Sequence, residues 1–324
     1  MTRQHLSTII LLASVVAISG CGGDGGVNTA ATAPPPVAPS PVPPPSVTPS
    51  VTAGTYDTIA LVERHSGAPG WALESLDPTT SPDQVQIMVE PSTKTYTVLI
   101  DPAISPYTQT VFTPQSPAIT TTTPGEAFHN QLLIGPGLSH VSLGAWSGFT
   151  ISTRSDGTFF SKDDPTFIYF VFGDRTPSAD IPVSGTATYT SHIGFSDLNG
   201  GNFGIPAEFS LSADFGSRSI SALFDVLPAL EVGDYEEYYT TGFHATGAAP
   251  FTTAGAFEIP LAGALTYKSL DSTIADNVRP MTGAVNGAFF GPQASQVGGV
   301  VQFTAEVTPG TFQSVGGNFA GAKD

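Results

Sequence analysis

The feature that most restricts how this chain can fold is a strict two-residue alternation, seen in Phe209-Ser210-Leu211-Ser212-Ala213-Asp214-Phe215, where every odd position is apolar and every even one polar. That period puts apolar side chains on one face of an extended strand and polar ones on the other, which suits a sheet with one dry and one wet side. Gly216 then offers a tight turn, and Ser217 to Phe224 returns as the partner strand. Val301-Gln302-Phe303-Thr304-Ala305-Glu306-Val307 repeats the alternation near the C-terminus. From about Tyr56 onward no long apolar run at helical spacing occurs, so the body is read as all-β. Regularly repeated half-wet strands point to a closed up-and-down barrel, because closure leaves no sheet edge exposed.

Upstream, Val85 to Val89 and Thr95 to Ile100 flank Pro91-Ser92-Thr93-Lys94 as a hairpin. Thr166 to Phe172 (TFIYFVF) is apolar almost throughout, as a strand buried on both faces would be. After Gly173 the stretch Thr176 to Pro182 interrupts the pattern and reads as a boundary between subdomains.

The N-terminal end follows a different logic. Arg3 precedes an apolar run from Ile9 to Ile18, too short to span a bilayer, and Ile18-Ser19-Gly20-Cys21 has the layout of a lipobox. Residues 1–20 are therefore expected to be a lipoprotein signal peptide cut between Gly20 and Cys21, with fatty acyl chains such as palmitate carried by Cys21. Cys21 is the chain's single cysteine, so the body has no disulfide to lean on and depends on core burial. Residues 21–54 run from Gly22-Gly23-Asp24-Gly25-Gly26 into a proline tract, Pro34 to Pro49. Such a composition cannot bury a core, and it is read as a disordered tether of about 3.1 Å per proline-rich residue. A proline-rich ligand for another domain is the alternative reading. Residue 22 is Gly and not Asp, so retention at the inner membrane is not signalled, and the long tether favours the outer membrane and the cell surface.

Acids outnumber bases 27 to 10, for a formal charge of −17, while charged residues are only 11% of the chain. That balance excludes nucleic acid as a partner, since phosphates need cations to meet them.

Specific residues then carry a resemblance. The run Gly287-Ala288-Phe289-Phe290-Gly291-Pro292-Gln293-Ala294-Ser295-Gln296-Val297-Gly298-Gly299 resembles the signature of the transferrin-binding protein B barrel domain, and Pro182 to Tyr189 is similar to that family's first barrel strand. Tyr169 to Pro177 resembles the lead-in of related lipoproteins, and Gln296 stands where the family usually has Glu. The resemblance covers roughly Ile181 to Lys323 and implies a C-terminal eight-stranded antiparallel barrel over residues 181–324, preceded by a smaller β-rich handle domain over 55–180. Gly287, Phe289, Gly291, Pro292, Ala294, Gly298 and Gly299 are read as fold determinants rather than a ligand site: glycines for close approach or a sharp bend, Pro292 to stop the ladder, and Gly298-Gly299 to restart the next strand. The resemblance also implies binding as the activity, with the ligand left open.

No nucleophile elbow, zinc-protease motif, phosphate loop or zinc spacing occurs, so an enzyme is not expected. Ser139-His140 is read as chance adjacency and Asp163-Asp164 as turn residues. Candidate ligand positions are Tyr235, Tyr238 and Tyr239, from Asp234-Tyr235-Glu236-Glu237-Tyr238-Tyr239, together with His244, because phenolates and imidazoles suit ferric iron or a haem axial position. An exposed acidic loop leading into a strand is the plain alternative. His129, His140 and His192 are further haem-ligand candidates that no local motif selects, and Asp197 to Asn202 is either a weak calcium loop or an Asx-rich turn. No resident cofactor is expected. Haem or iron would be a transported ligand, the membrane would be met through lipid, a protein or an outer-membrane receptor is the candidate partner, and the body is expected to act as a monomer. The competing class is a structural or adhesive envelope lipoprotein with no small ligand.

Overall fold

The computed structural model describes residues 53–324, apart from short segments at 66–72, 80–82, 91, 94, 106–107, 113–118, 121–125, 134–137, 154–158, 162–165, 197–201, 204–206, 233–237, 270–276 and 309–310. The signal peptide, Gly20, Cys21 and the tether up to residue 52 lie outside the described residues, as do Tyr235, Asp163-Asp164 and residues 197–201, while Gly54, read as the end of the tether, already opens the first strand.

In chain order the first strands are β1 (Gly54–Asp57), β2 (Ile59–His65), β3 (Leu73–Pro78), β4 (Val85–Glu90), β5 (Thr95–Ile100), β6 (Gln109–Phe112), β7 (Ile119–Thr120), β8 (Glu126–Leu133), β9 (Val141–Thr153), β10 (Phe159–Ser161) and β11 (Thr166–Gly173). They form a four-stranded sheet, β1-β4-β5-β6, and a seven-stranded sheet, β3-β2-β11-β9-β8-β7 with β10 on β9. The expected hairpin is present as β4 and β5, with Val85 opposite Ile100 and Glu90 opposite Thr95. Between the two sheets Ala60, Val62, Ile87, Val98, Trp146, Ile168, Phe170 and Phe172 make one core. These two sheets form the handle.

The second series is β12 (Thr186–Ser196), β13 (Asn202–Phe203), β14 (Ala207–Asp214), β15 (Ser219–Val232), β16 (Tyr238–Pro250), β17 (Ala256–Ser269), β18 (Asn277–Phe290), β19 (Gln296–Thr308) and β20 (Thr311–Lys323). β12 and β14 to β20 pair antiparallel in sequence order, and β12 also pairs with β20, closing an eight-stranded up-and-down barrel. The alternation dictates which side faces in. Phe209, Leu211, Ala213 and Phe215 are buried, while Ser212 and Asp214 are exposed. Inside the barrel, Phe209 stacks on Phe224, its partner on the neighbouring strand, at 4.0 Å and meets Phe319 of β20 edge-on at 4.6 Å, so aromatic rings pack the interior. Outward positions such as Ser212, Ser221, Asp225 and Glu258 are exposed and polar. A barrel spanning a membrane has the reverse arrangement, apolar outside, so this wall is built for water.

The β14–β15 turn falls where Gly216 suggests it, between Asp214 and Ser219. Arg218, not Gly216, takes the left-handed backbone (φ 53°), and Asp214 Oδ1 organises the bend by accepting from the Gly216 and Ser217 amides at 2.9 and 3.2 Å. Those bonds hold its carboxyl below the ordinary aspartate range.

Candidate functional site: a sealed end, a handle junction and a loop end

Up-and-down connectivity divides the barrel's connections between two ends. At one end lie the β14–β15, β16–β17 and β18–β19 turns, and this end is sealed. Gly291, at φ 71°, turns the chain out of β18 into a 3-10 turn at Pro292–Ala294, where Gln293 and Ala294 also have positive φ. A β-carbon on Gly291 would meet the His140 ring at 2.6 Å, so both conformation and space demand glycine there. Ala294 is fully buried among the barrel's core side chains, and its carbonyl accepts a 2.7 Å hydrogen bond from the Tyr189 hydroxyl inside the barrel. Burial pushes the Tyr189 phenol well above its usual pKa. Phe289 sits at the centre of this end, with the rings of Phe215, Phe251, Phe257 and Tyr189 between 5.3 and 5.9 Å from its own.

The same segment joins the barrel to the handle. Gln296 is buried; its side-chain Oε1 accepts from the backbone N–H groups of Ser139 (3.3 Å) and His140 (2.8 Å), and its Nε2 donates to Ser139 Oγ at 3.3 Å. The neutral amide serves both roles, whereas a carboxylate at this position could not donate. On β20, Asn318 Nδ2 donates to the carbonyls of Gly144 (2.7 Å) and Phe170 (3.1 Å) on β9 and β11. Around these bonds Val141, Leu143 and Val171 of the handle pack on Ala288, Phe290 and Ala320 of the barrel wall. The strand β11 is thus buried on both faces, Phe170 and Phe172 toward the handle core and Val171 toward the barrel.

Gly298 and Gly299 do not restart a strand, as their position after the turn suggested. They lie inside β19, which begins at Gln296. A β-carbon on Gly298 would come within 2.8 Å of Val141 and Val171, and one on Gly299 within 2.2 Å of the Asn286 carbonyl. Gly287, inside β18, is covered by the Phe257 ring, at 2.5 Å from where its β-carbon would stand. Gly287, Phe289, Gly291, Ala294, Gly298 and Gly299 each have a packing task, while Pro292 is exposed and starts the 3-10 turn. The connection from Gly173 to Gly185, read in the sequence as a break, is pinned to the same place: Thr176 donates through Oγ1 to the Gly291 carbonyl at 2.6 Å and through its amide to the Phe289 carbonyl at 3.0 Å.

At the opposite end are the β12–β14, β15–β16, β17–β18 and β19–β20 connections. Tyr238 and Tyr239 open β16 there, opposite Val232 and Glu231. His244 stands five residues further along the strand than Tyr239, about 17 Å away by backbone rise, and is exposed on the outer wall, with Nδ1 3.8 Å from Asp225. That separation exceeds the combined reach of the two side chains, so His244 and the tyrosines are not brought together as ligands of one ion. Among the described residues no three metal-ligating side chains converge. His140 lies at the handle junction, 3.7 Å from Asp174, and His129 and His192 lie in β8 and β12. Just inside this end, Arg279 of β18 follows the inward register of Met281 and pairs across from Leu265, and its Nε is buried with no hydrogen-bond partner.

Sequence reasoning missed Gln296 as a linchpin, and it missed Asn318 and Arg279 altogether. For Asn318 a signal existed: one amide among the small residues of Gly316-Gly317-Asn318-Phe319-Ala320-Gly321, a strand flat enough for another sheet to approach.

No family model and no curated protein matches the chain. Among solved structures it is similar to a transferrin-binding protein B double mutant from Haemophilus parasuis Hp5, at 16% identity and a TM-score of 0.37, over 82% of this chain and 45% of that one. It is also similar to intact Ap-TbpB with its N and C lobes (13% identity, TM-score 0.37, 82% and 46% covered). A third similar structure is a putative outer membrane protein from Bacteroides fragilis NCTC 9343 (14%, TM-score 0.22, 84% and 97%). The chain spans less than half the length of the two transferrin-binding proteins. The barrel assignment stands on its own strand pairings.

Proposed function

We propose that this chain is a lipid-tethered binding protein of the outer membrane, displayed at the cell surface, whose barrel is a solid pedestal and whose loop end captures an iron or haem source or a host or environmental protein for uptake. One observation carries this reading: from the sealed end up to Leu265 and Met281 the interior is filled by the protein's own side chains, while the exposed outward positions include Ser212, Ser221, Asp225 and Glu258 beside Leu223 and Val278. A filled barrel neither conducts nor encloses; it holds loops in place. The locked handle junction adds rigidity, which lowers the ordering cost when a partner docks. Cys21 would supply the anchor and residues 22–53 the reach.

The test uses intact cells and the full chain. Mass spectrometry should find acyl chains on Cys21, and protease added to whole cells should remove the body. Purified protein should then retain a partner, or give a Soret shift with haemin, and replacing residues 233–237 and 270–276 should abolish it. Normal growth of a deletion strain on scarce iron, together with altered adhesion, would move the assignment to an envelope-organising lipoprotein.

A further inference from the structure

We propose that the barrel's outer wall holds a site for a divalent transition-metal ion of the zinc class, formed by one cross-strand row: Glu208 of β14, Asp225 of β15 and His244 of β16. The register places them there. Glu208 stands opposite Asp225, and Asp225 stands opposite His244. Residues directly opposite on neighbouring antiparallel strands share a face, with β-carbons about 4.5–5.5 Å apart. Phe209 and Phe224, next to the two acids in sequence, are buried in the interior, so the row belongs to the outer face. That face is open to solvent: the Asp225 and His244 side chains are 52% and 60% exposed.

Two observations set this row apart. His244 Nδ1 and Asp225 Oδ1 are 3.8 Å apart, beyond hydrogen-bond range, whereas two ligands of one tetrahedral zinc, each bonded at about 2.1 Å, lie about 3.4 Å from one another. The pair thus stands near the separation that a shared ion demands. In the second observation, the acid of β14 meets the acid of β15, and like charges directly opposite destabilise a sheet. The neighbouring outward positions bring no cation to offset them: Ser210, Leu223, Thr246 and Ala262 form the next row, and Ala264 of β17 stands opposite His244. A bound dication converts that repulsion into ligation. The bulge between Val226 and Ala229 begins one residue beyond Asp225, and ladder irregularities of this kind recur beside functional sites.

An imidazole with two carboxylates suits zinc, nickel or copper, whereas calcium takes a shell of oxygens. Three protein ligands leave a fourth position for water or for a group from a partner. The site lies on the wall and does not draw on capture at the loop end.

The experiment is calorimetric titration of the chelator-treated full chain with zinc chloride and, separately, with calcium chloride. Zinc should bind at least about tenfold more tightly than calcium. His244→Ala, Asp225→Asn and Glu208→Gln should each weaken zinc at least about tenfold, while Glu258→Gln, an exposed acid elsewhere on the wall, leaves it unchanged. Urea unfolding is the second readout. Zinc should raise the midpoint of the parent by mass action and not that of His244→Ala. Without metal, Glu208→Gln should be at least as stable as the parent, because the facing charges are gone. Absence of zinc binding to the folded parent overturns the site, as does equal zinc binding by His244→Ala or an equal affinity for calcium. Full zinc affinity in Glu208→Gln overturns the three-residue row. Partner capture and haemin binding are read separately at the loops, so either result can fail without the other.

Discussion

The two ends of one barrel are built to opposite rules. At the sealed end the turn after β18 drops Ala294 into the core, Tyr189 caps its carbonyl, and four aromatic rings converge around Phe289. At the opposite end Arg279 Nε is buried without a hydrogen-bond partner, beside the buried side chains of Leu265 and Met281. Each end keeps one such atom, Ser295 Oγ at the sealed end and Arg279 Nε at the other. Their difference lies in the packing: the ring cluster and the Tyr189 bond gather at the sealed end, where they hold the turn after β18 in the core.

The largest expected effect tests that asymmetry directly. Phe289→Ala should cost about 3–5 kcal/mol in urea unfolding, the range for a fully enclosed phenylalanine, whereas Leu265→Ala at the other end should cost about 2 kcal/mol. Equal losses would remove the distinction between the ends. Next comes the junction that braces the sealed end: Gln296→Leu strands the Ser139 and His140 amides and should cost about 2 kcal/mol. Amide exchange in β9 should accelerate in that variant, and unchanged exchange would mean the handle does not depend on this bond.

A smaller effect is expected from Tyr189→Phe, about 1 kcal/mol for a single neutral hydrogen bond. Because burial raises the folded-state pKa of this phenol above its usual 10.0, its linkage leaves stability intact below pH 10 and erodes it as pH climbs further. The alkaline slope should flatten in the phenylalanine variant. The least effect belongs to Asp214→Asn in the exposed β14–β15 turn. Here the folded carboxyl is lowered from 3.8, so the contribution is full above that value and fades as pH falls through the folded pKa. A proton-shift titration of Asp214 that follows an unperturbed curve would sink this point.

Much of the β architecture was legible because strand periodicity is local. Phe209 to Phe215 announces which side of β14 is dry, and the described part of Val301 to Val307 keeps the same order, with Val301, Phe303 and Ala305 buried. The both-faces burial of β11 could be read from its unbroken apolar run, since a strand without a polar face has no side to offer water. The meaning of individual glycines was less readable. Gly216 lies in the turn it suggests, yet Arg218 adopts the left-handed conformation there, and Gly298-Gly299, read as restarting a strand, prove to be places where another chain segment passes too close for a β-carbon.

Spacing alone pointed to an all-β body and a closed barrel, with the inward positions of β14 and β19 named, while the segment from Gly287 to Gly299 was singled out by resemblance. Only tertiary structure decided that Gln296 meets Ser139 across 157 positions, that Asn318 reaches β9 and β11, and that Arg279 Nε is buried without a hydrogen-bond partner. The physical reason is range. Periodicity reports which face of a strand is buried, a property of neighbours in sequence, whereas a hydrogen bond between distant strands depends on closure, register and the packing of one sheet on another, none of which leaves a mark on the local pattern.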